Sequence, residues 1–177
     1  MNVLAELRRT IGYGALLPSQ RFFTAKPEFF DILKGLEGPK VFIEAGCGMG
    51  DTTTQAKARG LQMIGVDVAY RAGQADHVLM LDATIFTYAP TTWLLMCRPN
   101  HDGWSYDAAE RALQMGASVL YVGFAKNHRQ DLGRLAQFIT KRWPVVGDEG
   151  ERMVLLDAEA YRAPRKKRVD DFGFRHT

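Results

Sequence analysis

The sequence predicts an α/β protein, a three-layer α/β/α sandwich built on a mostly parallel seven-stranded sheet with an antiparallel hairpin at its C-terminal end. Three features carry that expectation. Residues 41–50, Val-Phe-Ile-Glu-Ala-Gly-Cys-Gly-Met-Gly, run from an apolar stretch into an acid and then into glycines at alternate positions. A helix-forming stretch, Thr52–Arg59, and a second apolar run, Leu61–Val66, follow and close on Asp67. Beyond them apolar runs alternate with helical patterns, as parallel strands joined by crossovers do.

The elements follow in order. Residues 1–38 precede the sheet and split at Pro18 and Pro27. Their aromatic series, Tyr13, Phe22, Phe23, Phe29 and Phe30, suits a helical lid, with residues 10–30 closing over a cleft. Pro27 and Glu28–Leu36 read as a short helix with proline in its first turn, stopped by Gly38-Pro39. The first strand is expected at Lys40–Glu44 and the second at Leu61–Val66. The segment Val68–Asp76 is too short for a full crossover helix. A third strand is expected at His77–Leu81, ending at Asp82, and a fourth at Thr92–Cys97, stopped by Pro99.

Asp107 and Glu110 have capping-box spacing for a helix running to Met115. Ser118–Phe124 is apolar enough for a strand buried on both faces. Asn127 can cap a further helix, in which Leu132, Leu135, Ala136 and Ile139 recur at i, i+3, i+4 and i+7. Pro144–Val146 and Arg152–Leu156 flank Gly147-Asp148-Glu149-Gly150 and read as a hairpin. The expected divisions are a lid segment at 1–38, a ligand-binding domain at 39–158 and a basic tail at 159–177.

The glycine turn and the acid on the next strand form the layout of a nucleotide-type site at the carboxyl edge of a parallel sheet. Only a backbone without Cβ turns so sharply and approaches a ligand so closely. A dinucleotide fingerprint requires a third glycine at position 51, which is Asp51. An acid there opposes a pyrophosphate at a helix N-terminus. The observed spacing is Gly46-x-Gly48-x-Gly50, with Glu44 two residues ahead. This closely resembles motif I of the class I, Rossmann-like S-adenosylmethionine (SAM) methyltransferases, whose ligand carries a sulfonium and an amino acid in place of phosphates. The resemblance spans about residues 27–157 and is most specific at motif I.

What the resemblance implies can be stated residue by residue. Gly46, Cys47, Gly48 and Gly50 would lie under the methionine portion of SAM or its product S-adenosylhomocysteine. Glu44, beneath the turn, would meet the amino group or cap loop amides. Asp67 would accept the ribose hydroxyls, beside Val68. Asp82 would take the adenine amino group and the Ala83 amide a ring nitrogen, with Ile64, Val68 and Ile85 as apolar walls.

The fourth-strand tip, Cys97-Arg98-Pro99-Asn100-His101-Asp102-Gly103-Trp104, would face the methyl acceptor. Amino-methylating nucleic-acid enzymes carry Asn/Asp-Pro-Pro-aromatic there, and this chain departs from that pattern. Asn100, His101 and Asp102 are the catalytic candidates; His101 or Asp102 can serve as a general base, or the two can simply structure a polar loop. Cys97 lacks the adjoining Pro-Cys of cytosine C5 methyltransferases and reads as a reduced strand residue. Cys47 and Cys97 show neither metal-ligand spacing nor a disulfide framework.

The chain of 177 residues carries a net charge of +3, of which residues 160–177 hold +4. The run Arg165-Lys166-Lys167-Arg168, with Arg162 upstream, is a candidate contact for nucleic-acid phosphates or a solvated terminus. No apolar run approaches the ~18 residues of a membrane span. Glu6 comes too early for a signal peptide, so a cytoplasmic location is expected.

Overall fold

The computed structural model describes residues 23–38, 41–71, 73–100 and 103–163. Five parallel strands come first: β1 (Val41–Ala45), β2 (Gln62–Asp67), β3 (Leu79–Met80), β4 (Thr92–Cys97) and β5 (Ser118–Gly123). β6 (Ile139–Val145) and β7 (Arg152–Leu156) complete the sheet, β7 lying antiparallel to both β5 and β6. The order across the sheet is β3-β2-β1-β4-β5-β7-β6. The chain therefore winds outward from β1 to β3, crosses back to β4 and continues the other way. Ligands of open α/β sheets bind where the winding reverses, here between β1 and β4.

Consecutive residues of the central strands are buried on opposite faces, so the strands read as unbroken apolar runs. Ile43, Leu94 and Val119 pack on one side with α3 (Trp104–Met115), α4 (His128–Leu132) and α5 (Ala158–Arg162). Phe42, Leu95 and Leu120 pack on the other with α1 (Pro27–Gly35) and α2 (Asp51–Ala58). Phe29, Phe30 and Leu33 of α1 are almost wholly buried, each worth about 1.5–3 kcal/mol. The three-layer sandwich and the terminal hairpin are as the sequence predicts.

Four elements differ from expectation. The third strand shrinks to Leu79–Met80, both exposed, at the edge of the sheet. No helix forms between β2 and β3 among the described residues, so little backbone is held there for a longer strand to pair with. The helix expected over 127–139 ends at Leu132. Gly133 has φ +48°, and residues Gly133–Phe138 continue as a 3₁₀ turn. Leu132 and Leu135 are buried all the same, because i, i+3 spacing serves a tighter turn as well as an α-helix. Ile139 then opens β6 opposite Leu156.

α3 starts at Trp104, with Gly103 in the cap position at φ +92°, and Asp107 lies in the first turn rather than capping it. Residues 23–30 do not cover a cleft. Ala25 bridges to Gly147 in the β6–β7 turn, and the rest join α1 against the sheet; residues 10–22 lie outside the described residues. At the other end the packed body runs on through α5. Arg162 places its guanidinium against Gly116, at the C-terminus of α3. The run 165–168 lies outside the described residues. Among the described residues no helix is long and apolar enough to cross a membrane.

Candidate functional site

A cleft of about 500 Å³ opens where the winding reverses. Gly46, after β1, Asp67, Val68 and Arg71, after β2, and Asp82 and Ala83, after β3, line one side. The β4 tip, Cys97 to Asn100, with Trp104 at the start of α3, lines the other.

The glycine bend is shaped by sterics. Gly46, Gly48 and Gly50 have φ of +66°, +58° and +81°, a region L side chains rarely adopt. A Cβ on Gly46 would stand 2.9 Å from the Trp104 ring, and one on Gly50 2.6 Å from Val78. Gly46 is thus where the backbone comes closest to the cleft wall, while Gly50 allows close packing on the outer side.

The bend is also held by named hydrogen bonds. The Gly48 N–H donates to Asp67 Oδ2 at 2.9 Å and the Ala69 N–H to Oδ1 at 3.0 Å. Gln74 Nε2 donates to the Gly48 carbonyl at 2.6 Å, and the Ala75 N–H to the Met49 carbonyl at 3.1 Å. Gly48 and Gly50 therefore serve the turn and do not line the cleft. Asp67, though nearly buried, reaches the cleft while tying β2 to the bend.

Glu44 lies beneath the bend and outside the cleft lining. It accepts from Thr53 Oγ1 at 2.5 Å, at the start of α2. Its pKa is raised from 4.5 to about 7, foremost by burial, against the lowering effect of hydrogen bonds from Thr53 and Thr52. In the structure it braces the start of α2 through the Thr53 hydroxyl. Cys47 likewise faces away from the cleft, with its sulfur beside Gly65. Burial, chiefly, pushes the Cys47 and Cys97 thiols far up, so neither is a thiolate nucleophile.

Asp82 Oδ1 accepts from both the N–H and the hydroxyl of Thr84, at 2.8 and 2.7 Å, and these bonds leave Oδ2 as an acceptor. The Tyr88 hydroxyl donates to the Ala83 carbonyl at 2.8 Å and pins this loop from inside. The apolar wall is made by Val68, Leu81 and Ala83. Ile64 and Ile85, expected there, are exposed outside the lining.

On the β4 side, Trp104 Nε1 donates to Asn100 Oδ1 at 2.5 Å. His101 and Asp102 lie outside the described residues. Arg98 adopts φ +51°, and its Nη1 reaches Glu149 Oε2 at 2.7 Å and Glu151 Oε1 at 3.1 Å.

Trp104, part of the fourth-strand tip that the sequence singled out, stands against Gly46. Arg71 escaped sequence reasoning. It lies in a segment with no periodicity, yet its Nε is buried without a hydrogen-bond partner among the described residues. The cleft thus couples two carboxylates, Asp67 and Asp82, to a cation, beside a backbone bend that only glycine can make.

Sheet order, bend and cleft are those of the class I, Rossmann-like SAM-dependent methyltransferase fold, and comparison with solved structures agrees. A proposed RNA methyltransferase, PH1948 of Pyrococcus horikoshii, superposes with a TM-score of 0.57 at 15% identity, over 89% of this chain and 96% of that one. The 1,6-didemethyltoxoflavin-N1-methyltransferase of Burkholderia thailandensis, solved with S-adenosylhomocysteine, gives 0.56 at 15% identity, over 86% and 87%. Magnesium protoporphyrin IX methyltransferase of Synechocystis, solved with SAM, gives 0.50 at 12% identity, over 87% and 90%. At the level of sequence, no family model and no curated protein matches.

Proposed function

We propose that this protein is a SAM-dependent methyltransferase, acting on a nucleic acid in preference to a small molecule. The observation that carries the reading is the cleft itself. It sits at the winding reversal, with the Gly46 bend in its lining and the carboxylates Asp67 and Asp82 beside it. The orphaned Arg71 Nε fits the same ligand, whose one anionic group is its carboxylate. Asp51 opens α2 where a pyrophosphate would need a neutral or cationic N-terminus.

In this reading Asp67 holds the ribose hydroxyls, Asp82 Oδ2 the adenine amino group and the Ala83 amide a ring nitrogen, with Val68 and Leu81 against the base. Arg71 neutralises the carboxylate. When bound, SAM supplies an activated methyl group on sulfur, open to in-line displacement. The protein's share is alignment and exclusion of water, for which proximity is worth about 7–11 kcal/mol. Asn100, held by Trp104, shapes the acceptor side. His101 or Asp102 serves as the base where the acceptor must lose a proton.

Calorimetry with S-adenosylhomocysteine tests the donor site. Asp67→Ala removes charge-assisted bonds worth about 1.5–3 kcal/mol and is expected to weaken binding roughly 10- to 150-fold; unchanged affinity overturns the assignment. Transfer of labelled methyl groups to pooled RNA, DNA, protein and metabolite fractions then identifies the acceptor. A label confined to the protein or metabolite fraction overturns the nucleic-acid reading.

A further inference from the structure

A second cavity, of about 510 Å³, lies beyond β5, running from Ala125, just past the carboxyl end of β5, to Ile139 at the start of β6. It is lined by three arginines from three different elements: Arg129 of α4, Arg134 of the 3₁₀ turn and Arg142 of β6. They meet because Gly133 breaks the helix, so that the chain doubles back before β6 begins. All three are exposed. No carboxylate is among the lining residues.

Of the nearby acids, one offsets part of this charge. Glu110 of α3 pairs with Arg134 at 2.5 Å. Asp131 of α4 is buried and accepts from the Tyr121 hydroxyl. Arg129 and Arg142 make no ion pair among the described residues. His128, at the cavity floor, is held below its usual pKa, foremost by burial, and the Arg142 charge pushes the same way. Its Nε2 lies against the Gly123 carbonyl at 3.0 Å. With Arg134 paired to Glu110, the Arg129 and Arg142 guanidinium groups leave this concavity positive, and an anion there is attracted to them. Arginine forks match phosphate oxygens two at a time.

We infer that this cavity binds the phosphodiester backbone of a single-stranded nucleic acid and leads the strand towards the cleft. The two cavities flank one contact, the Arg98 guanidinium lying 4.8 Å from the centre of the Phe124 ring. Arg98 lines the cleft, and Ala125, next to Phe124, lines the arginine cavity. A strand seated on the arginines and entering the cleft at the β4 tip would cross this contact. The strand's role as acceptor rests on the methyltransferase reading, whereas the phosphate site itself does not.

The test is fluorescence anisotropy of the full chain with a short labelled single-stranded RNA across a salt series, with calorimetry for S-adenosylhomocysteine in parallel. Arg129→Gln/Arg134→Gln/Arg142→Gln is expected to lose about 10- to 100-fold in RNA affinity. Its salt slope should fall by about 2, at ~0.7 per phosphate contact, while S-adenosylhomocysteine binding is unchanged. Both proteins keep the basic run 165–168, so the difference reads the cavity alone. Arg134 also packs on Tyr106, so Arg129→Glu/Arg142→Glu, which spares it, repeats the test without that loss.

RNA binding and salt slope equal to wild type in these variants overturn the inference, and so does a wild-type protein that binds labelled polyglutamate as tightly as RNA. A single-stranded DNA arm reports which sugar is preferred, and binding to either strand supports the site. Loss of S-adenosylhomocysteine binding with RNA binding intact sinks the donor reading and spares the cavity.

Discussion

The two sides of the cleft are built in opposite ways. On the side proposed for the donor, backbone groups and short-range partners hold the bend: Gly48 bonds Asp67, Met49 bonds Ala75, and Glu44 braces Thr53. On the side proposed for the acceptor, Arg98 is held in a left-handed conformation by carboxylates about fifty positions further along the chain. A bend fixed by its own backbone can be shared across many proteins, since the ligand it accepts is always the same. A loop fixed by distant side chains is free to change with the acceptor. The donor side should therefore respond to changes in its buried charge, and the acceptor side to changes in its loop.

The largest effect is expected at Glu44. Its folded pKa is raised, so between pH 4.5 and about 7 the folded chain keeps a proton that the unfolded chain releases. Stability contributed by this group is complete below pH 4.5, falls as pH rises through that window and levels off above it. At about 1.4 kcal/mol per unit the loss amounts to about 3 kcal/mol. Glu44→Gln is neutral throughout and can still accept from Thr53. Urea unfolding at pH 5 and pH 8 should show the variant gaining about 3 kcal/mol on the wild type between the two. Parallel pH profiles would show that the carboxylate is ionised at little cost, and that the bend does not rest on a protonated acid.

This contrast explains what the sequence disclosed. Strands β1, β4 and β5 were legible because burial on both faces leaves unbroken apolar runs, β2 because its apolar run closes on Asp67, and the bend because positive φ selects glycine. Of the residues expected around the ligand, Gly46, Asp67, Val68, Asp82 and Ala83 come together in one lining. Glu44, Cys47, Gly48 and Gly50 support it from behind. The sequence cannot separate these groups, since a residue two positions along a turn faces the ligand or the core according to local twist. Arg71 and the Arg98 pairs left no trace, because contacts over distances of 51 and 53 residues have no period. The helix break at Gly133 was hidden for a related reason, the apolar spacing there suiting an α-helix and a 3₁₀ turn alike.

A smaller effect, confined to the acceptor side, is expected from Trp104→Phe. The aromatic ring opposite Gly46 remains, but Asn100 loses its donor, a bond worth about 1 kcal/mol. S-adenosylhomocysteine affinity should stay within about twofold. Methyl transfer to the acceptor fraction identified above should fall by about fivefold, in kcat rather than in donor KM. A change of equal size in donor affinity would mean that the two sides are one unit and would remove the contrast.

The smallest effect separates the two carboxylates on Arg98. Glu149 is 61% exposed, whereas Glu151 is fully buried and accepts from the Glu149 N–H as well. Water screens the first pair and not the second. Glu149→Gln should therefore cost no more than about 0.5 kcal/mol in urea unfolding, within the usual range for exposed ion pairs. Glu151→Gln should cost several times that, because a buried guanidinium contact loses its charge partner. Arg98 would still lie over Phe124 in the first variant, leaving the β4 tip in place. If Glu149→Gln proves the costlier of the two, the loop is anchored from its solvent side, and the acceptor surface is more mobile than the buried Glu151 implies.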